Sequence, residues 1–287
     1  MGGAPAVGPS SQTLSARRAA TGRLMRRERN RQERAALKAT RRFFRSASSR
    51  VSPERVEGTD PATIAFQLLP DRWFREAFNA QMTRRWWAAL WTGWEHEKRW
   101  IDTGGEQAAR WVAQSDEPPL PSLYVEPSDE VVEAIRDHLA SRQRGVWSLV
   151  SKTTRKRLEK VVRDSINNDD PLKDRAAKIR KALGPGGSQA QAERIARTEM
   201  TGAMNSGQQE ERVVDGVDEK EWLATLDNVT RNGAGRGFDH LSADRQIAKT
   251  LAFFFVSGEK LLYPGDTSGG ASAGNIVNCR CTSLSVI

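Results

Sequence analysis

The chain has 287 residues, an apolar share of 38% before its 23 glycines are added, and a net charge of +9. That composition suits about two globular domains with a sizeable core. It offers no run of ~18 apolar residues for a membrane span, no apolar signal segment, and only two cysteines, so a soluble protein of a reducing compartment is expected.

Residues 1–15 are rich in Gly, Pro, Ser and Ala and uncharged, a composition that cannot offset ordering entropy, and disorder is expected there. Residues 16–50 then hold thirteen Arg or Lys against Glu28 and Glu33, an excess of eleven charges that exceeds the net +9 of the whole chain. Good helix formers fill this stretch, with Leu24, Met25, Leu37 and the Phe43–Phe44 pair as its apolar contacts. It reads as a basic arm, residues 1–58, that becomes helical when bound. Clustered arginine neutralises phosphate and releases counterions, which makes Arg17, Arg18, Arg23, Arg26, Arg27, Arg29, Arg31, Arg34, Lys38, Arg41, Arg42 and Arg45 candidate nucleic-acid contacts. An acidic protein surface would serve equally well, and a solvated charged helix is the plainer alternative.

Residues 59–187 read as a Trp-rich helical domain. Asp60–Pro61 and Asp170–Pro171 each resemble an N-cap followed by proline in the first turn, and the Gly184–Gly187 cluster predicts both a helix end after Leu183 and a domain boundary. Further helices are predicted near residues 71–100 and 129–166, with prolines between 118 and 127 separating them. In the first of these, Phe74, Phe78, Met82, Trp86 and Leu90 step by four beside a Trp87–Trp91–Trp94 stripe. A buried core helix explains that pattern better than a sticky face or a base-stacking platform.

Residues 188–287 form the third unit. Ser188-x-x-Gln191 resembles a capping box opening a helix to about Val214, with Ala192, Ile195, Ala196, Ala203 and Met204 as a narrow small-residue face. Beyond Gly216, short strands are predicted at Trp222–Leu226, 251–256 and 276–287, separated by Gly-rich loops. The expected fold class is α+β: mostly helical over the first two-thirds, then a helix with a small antiparallel sheet.

This last unit carries an ordered set of fragments: Ala196-Arg197-Thr198-Glu199, Trp222-x4-Asp227-x3-Arg231, His240 with Asp244, Tyr263-Pro264-Gly265-Asp266, and Asn278-Cys279-Arg280-Cys281. Each fragment alone is common, but together and in this order they resemble the C-terminal domain of the phage Mu F-like minor head proteins. The glycine-rich stretch between Arg231 and His240 is longer than the family's usual spacing. The resemblance implies a non-enzymatic head component of a tailed phage or prophage, inside the capsid near the portal vertex and in the host cytoplasm during assembly. It implies portal, major capsid or scaffold protein as partners, with packaged DNA as a further contact and no membrane. It also marks Arg197, Glu199, Trp222, Asp227, Arg231, His240, Pro264, Asp266, Asn278, Cys279 and Cys281 as structural residues. From their separate faces of the helix, Arg197 and Glu199 are each expected to reach across to the following sheet, Arg197 to Asp227, within a polar network that includes Asp227 and Arg231.

Cys279 and Cys281, if in a strand, face one side together and are poised to share a partner. With His240 and Asp227 they would supply acceptable zinc ligands, although C-x-C is tighter than the usual zinc spacing. Two buried thiols closing the domain is the plainer reading, and no other cofactor is called for. The pairs Gln208-x-Glu210 and Glu219-x-Glu221 match short transferase patterns but lack the surrounding motif. A nucleic-acid-binding protein acting outside a virion and a zinc-dependent nuclease or transferase stand as rival readings.

Overall fold

The computed structural model describes residues 11–102, 128–226, 230–234 and 237–287. Residues 1–10, the proline cluster with Trp111, and Asp227 lie outside the described residues. The fold is α+β, as expected. Helices α1 (Ser11–Ser49), α2 (Pro61–Leu68), α3 (Asp71–Asp102), α4 (Asp129–Asn167), α5 (Leu172–Leu183) and α6 (Pro185–Val214) precede the small sheet.

The basic segment departs most from expectation. It is not an arm but a 39-residue helix built into the bundle. Ala36, Ala39, Phe43 and Ala47 recur at three- and four-residue steps, are buried, and face α3 and α6. Alanine forms most of that seam, which is why a search for bulky apolar residues misses it. The resulting core unites Met25, Phe43, Val56, Phe78, Leu158, Ile179 and Met204, so it runs across the boundaries expected after residues 58 and 187.

The aromatic stripe of α3 is core. Phe74, Phe78, Met82, Trp86 and Leu90 are all fully buried, and Phe43 of α1 meets Phe74 and Phe78 edge-on at 4.8 and 5.4 Å. Trp87 and Trp91 stack at the half-buried margin. Helices α3 and α6 cross so closely that glycine is required on both. A Cβ at Gly93 would lie 1.9 Å from the Met204 carbonyl oxygen, and one at Gly207 would lie 2.0 Å from that of Leu90.

The helix ends follow simple capping rules with two adjustments. Asp60 accepts from the Ala62 and Thr63 amides, as its position before Pro61 predicts. The start of α5 is capped by Pro171 rather than Asp170, whose carboxylate is bound to Lys178 instead. Helix α6 opens at Pro185 with Gly184 as its cap, so Ser188 lies inside the helix and donates back to the Gly184 carbonyl. Proline in the first turn sets the start one turn earlier than the capping-box pattern suggests.

Beyond α6, β1 (Glu219–Leu223) is the centre of an antiparallel sheet ordered β2–β1–β5, with β2 at Ile247–Lys249 and β5 at Thr282–Val286. Strands β3 (Phe254–Val256) and β4 (Glu259–Leu261) form a separate hairpin. Its turn residues, Ser257 and Gly258, both have positive φ (52° and 78°), the conformation that two-residue hairpins favour. The short helix α7 (Ala273–Ile276) ends where the last strand is predicted to begin, and a turn at residues 277–278 delays β5 to Thr282, so Cys279 and Cys281 precede β5 and are not in a strand. A small second core contains Trp222, Phe254, Val256, Leu261 and both cysteines.

A buried polar network fastens this module to the bundle. Glu97 of α3 forms a two-pronged ion pair with Arg212 of α6 (2.9 and 3.0 Å), and both are almost fully buried. Arg212 also reaches the Ser283 hydroxyl and carbonyl, while Glu97 accepts from the Ser285 amide, all in β5.

Candidate functional site

His240, Cys279 and Cys281 converge, with ligand-capable atoms all within 4.8 Å of one another. Each residue is about 2% exposed. The Cys279 and Cys281 sulfurs lie 3.5 and 3.6 Å from His240 Nδ1. Trp222 is edge-on to the imidazole, with ring centroids 5.8 Å apart, and forms one wall.

The histidine tautomer follows from its neighbours. Asn275 Nδ2 donates to the Val256 carbonyl (3.0 Å) and to Glu259 Oε2 (2.6 Å), which turns Asn275 Oδ1 toward the ring. That oxygen is 3.1 Å from His240 Nε2, so Nε2 carries the hydrogen and the Nδ1 lone pair faces the two sulfurs. Arg231 Nη1 also comes within 3.3 Å of Nε2, but a guanidinium offers only donors. Its hydrogen bonds go to the carbonyls of Asn275 and Val277, securing α7 and the residue after it. Hydrogen bonding from Cys281 holds the Cys279 thiol well below its ordinary range, and sharing that bond holds Cys281 well above it.

Most of the other motif residues fasten loops rather than form one network. Arg197 reaches Asn278 Oδ1 (3.2 Å) and approaches Glu33 of α1 (3.6 Å), while the Asn278 amide donates to Thr198. Asp227, its expected partner, is outside the described residues. Among the described residues, Glu199 meets the bundle rather than the sheet. It accepts from Trp86 Nε1 of α3 (3.0 Å) and approaches Arg142 of α4 (3.6 Å), because α6 turns that face into the bundle. Asp266 accepts from the Leu262 and Ser268 amides, and the Pro264 carbonyl accepts from Asn205. Asp244 accepts from the Ala224 amide.

The structure adds several residues to those the motifs mark: Asn275 behind the histidine, Asn205 and Gln208 on α6, the Glu97–Arg212 pair, and Lys220. Lys220 Nζ donates to Gln209 Oε1 and the Thr250 and Leu262 carbonyls, and its burial pushes its pKa down to about 7. For Asn205, Gln208 and Arg212 the sequence hint is an unusual density of polar residues late in α6; Glu97, Lys220 and Asn275 lie outside that stretch.

The basic residues of α1 divide into two sets. Arg29 is buried, with its pKa lowered by burial, and donates to the Arg280 carbonyl between the two cysteines. Arg18 pairs with Glu221 (3.0 Å) and Asp244 (2.9 Å), and Arg41 donates to Gln189. Arg26 is half-buried, and Arg17 lies among side chains left undescribed. Arg18 and Arg29 are thus corrected from nucleic-acid candidates to internal contacts, since the helix packs by that face. Arg23, Arg27, Arg31, Arg34, Lys38, Arg42 and Arg45 are all exposed.

Searches of known protein families, curated proteins and solved structures find no match to this chain.

Proposed function

We propose that the protein is a non-enzymatic minor head component of a tailed phage or prophage, of the phage Mu F-like kind, bound near the portal inside the capsid and in contact with packaged DNA. The observation that carries the DNA contact is the exposed row on α1. Its seven basic side chains follow one another at steps of three or four residues from Arg23 to Arg45, which places them on one arc of the helix. Those 22 steps span about 33 Å at 1.5 Å per residue. One turn of duplex DNA is about 34 Å, so the row can follow phosphates over that length.

The ordered C-terminal motifs supply the assignment to a phage head, and their residues secure the loops around a closed module. His240, Cys279 and Cys281 are buried, which suits a structural role better than the open position that metal catalysis needs. Among the described residues no helix is long and apolar enough to cross a membrane. Portal, major capsid or scaffold protein are the expected protein partners, with assembly in the host cytoplasm.

Quantitative mass spectrometry of purified particles tests the assignment: a low, fixed abundance relative to portal is expected, and absence from particles would overturn it in favour of a DNA-binding role elsewhere. The DNA contact is tested by titrating duplex at several salt concentrations. Reversing Arg27, Arg31 and Arg34 to Glu should weaken binding and flatten the salt dependence by about 0.9 log unit for each phosphate no longer neutralised. An unchanged slope would dismiss the row as the contact surface.

A further inference from the structure

We propose that His240, Cys279 and Cys281 hold a structural zinc ion, which closes the C-terminal module; this inference is independent of the phage-head assignment. A tetrahedral ion with bonds of ~2.3 Å to sulfur and ~2.1 Å to nitrogen separates nitrogen from sulfur by about 3.6 Å. The two sulfurs stand 3.5 and 3.6 Å from His240 Nδ1, matching two such edges at once. One imidazole lone pair accepts a single thiol hydrogen well, so the two approaches cannot both be full hydrogen bonds to Nδ1, whereas one ion accounts for both edges together.

The surroundings are those of a metal-bound histidine. Zinc-bound imidazoles commonly donate their second N–H to an oxygen that fixes ring orientation and tautomer. Here Asn275 Oδ1 takes that hydrogen, and Asn275 is itself locked by Glu259 and the Val256 carbonyl. Nδ1 is therefore the free ligand, aimed at both sulfurs. Two thiolates balance the ion's charge, a requirement for placing it in a site walled by Trp222 and closed to solvent. The ligands come from a loop after β1 and from the segment before β5, places 39 and 41 residues apart in the chain. One ion would therefore join two loops that little apolar packing holds together. Among the described residues no fourth protein ligand joins the three. Arg29 of α1 fastens the Arg280 carbonyl between the cysteines, so the bundle itself positions the pair.

The test uses the full chain, purified in zinc-supplemented medium. Elemental analysis should give about one zinc per chain. Replacement by cobalt should produce thiolate-to-cobalt charge-transfer absorption and the intense visible bands of a tetrahedral ion. Cys279→Ser and Cys281→Ser should each reduce the charge-transfer band, and Asn275→Ala should weaken metal affinity by about 10- to 100-fold with the bands retained. The wild-type cobalt spectrum decides the matter even if a variant fails to fold. Only trace zinc together with no charge-transfer band would overturn the proposal, as would bands that survive replacement of both cysteines.

Discussion

The helical bundle buries Phe43, Phe74, Phe78, Trp86 and Leu90 against one another, whereas the apolar cluster of the C-terminal module holds, among the described residues, eight buried side chains, of which two are cysteines and two alanines. The bundle can be held by area removed from water. The module has less of that to draw on, because three of its five strands, β2, β3 and β4, are only three residues long. Its attachment is polar: Glu97 and Arg212 tie β5 to α3 and α6, Lys220 ties β1 to two loop carbonyls, and Asn205 reaches the carbonyls of Pro264 and Cys281. A small domain leaning on a large one can thus be specified by buried hydrogen bonds, each of which is costly to leave half-made.

The largest effect is expected where the two regions meet. Glu97→Ala leaves Arg212 buried without its counter-ion, at a cost of about 3–5 kcal/mol. Amide exchange should rise in β5 far more than in the first half of α3. Equal loss of protection in both would break the distinction between an apolar bundle and a polar attachment. Replacing both partners, Glu97→Leu with Arg212→Met, should recover much of the stability, since no charge is then stranded.

A second test addresses the bundle alone. Gly207→Ala places a methyl against the Leu90 carbonyl and forces α3 and α6 apart, a clash expected to cost about 1–3 kcal/mol. Chemical denaturation should show an earlier midpoint. An unchanged midpoint would mean that the helices can separate freely, and that the crossing is not tightly packed.

The smallest effect concerns an exposed cap at the start of α2. The Thr63 hydroxyl, followed by the Thr63 and Ala62 amides, holds the Asp60 carboxyl below its ordinary value of 3.8. A depressed folded pKa means that the stabilisation is complete at neutral pH and is lost as pH falls through that lower value. Asp60→Ala should therefore lower the unfolding midpoint slightly at neutral pH. The gap from the wild type should close on acidification below 3.8; a gap that persists there would show that the charge is not what stabilises the cap.

Local pattern carried much of the bundle. The four-residue steps of α3, proline after Asp60 and the glycine cluster after Leu183 each express a rule acting within one or two turns, and each element lies where that rule places it. The seam of α1 was less legible, because Ala36, Ala39 and Ala47 look the same in a solvated helix as in a packed one. For the site, residue order alone brought His240, Cys279 and Cys281 forward. Asn275, which orients the histidine, carries no pattern of its own.

The sequence by itself determined where most helices run, that the fold is α+β, and which histidine and cysteines stand out. Only the tertiary structure decided that the basic segment is part of the core, that seven of its side chains remain outside while Arg18 and Arg29 turn inward, and that Glu97 meets Arg212 across 115 residues. Periodicity is a property of neighbours along the chain. The partner of a buried charge is chosen by whichever distant donor or acceptor packing brings within reach, and nothing in the local sequence records that choice.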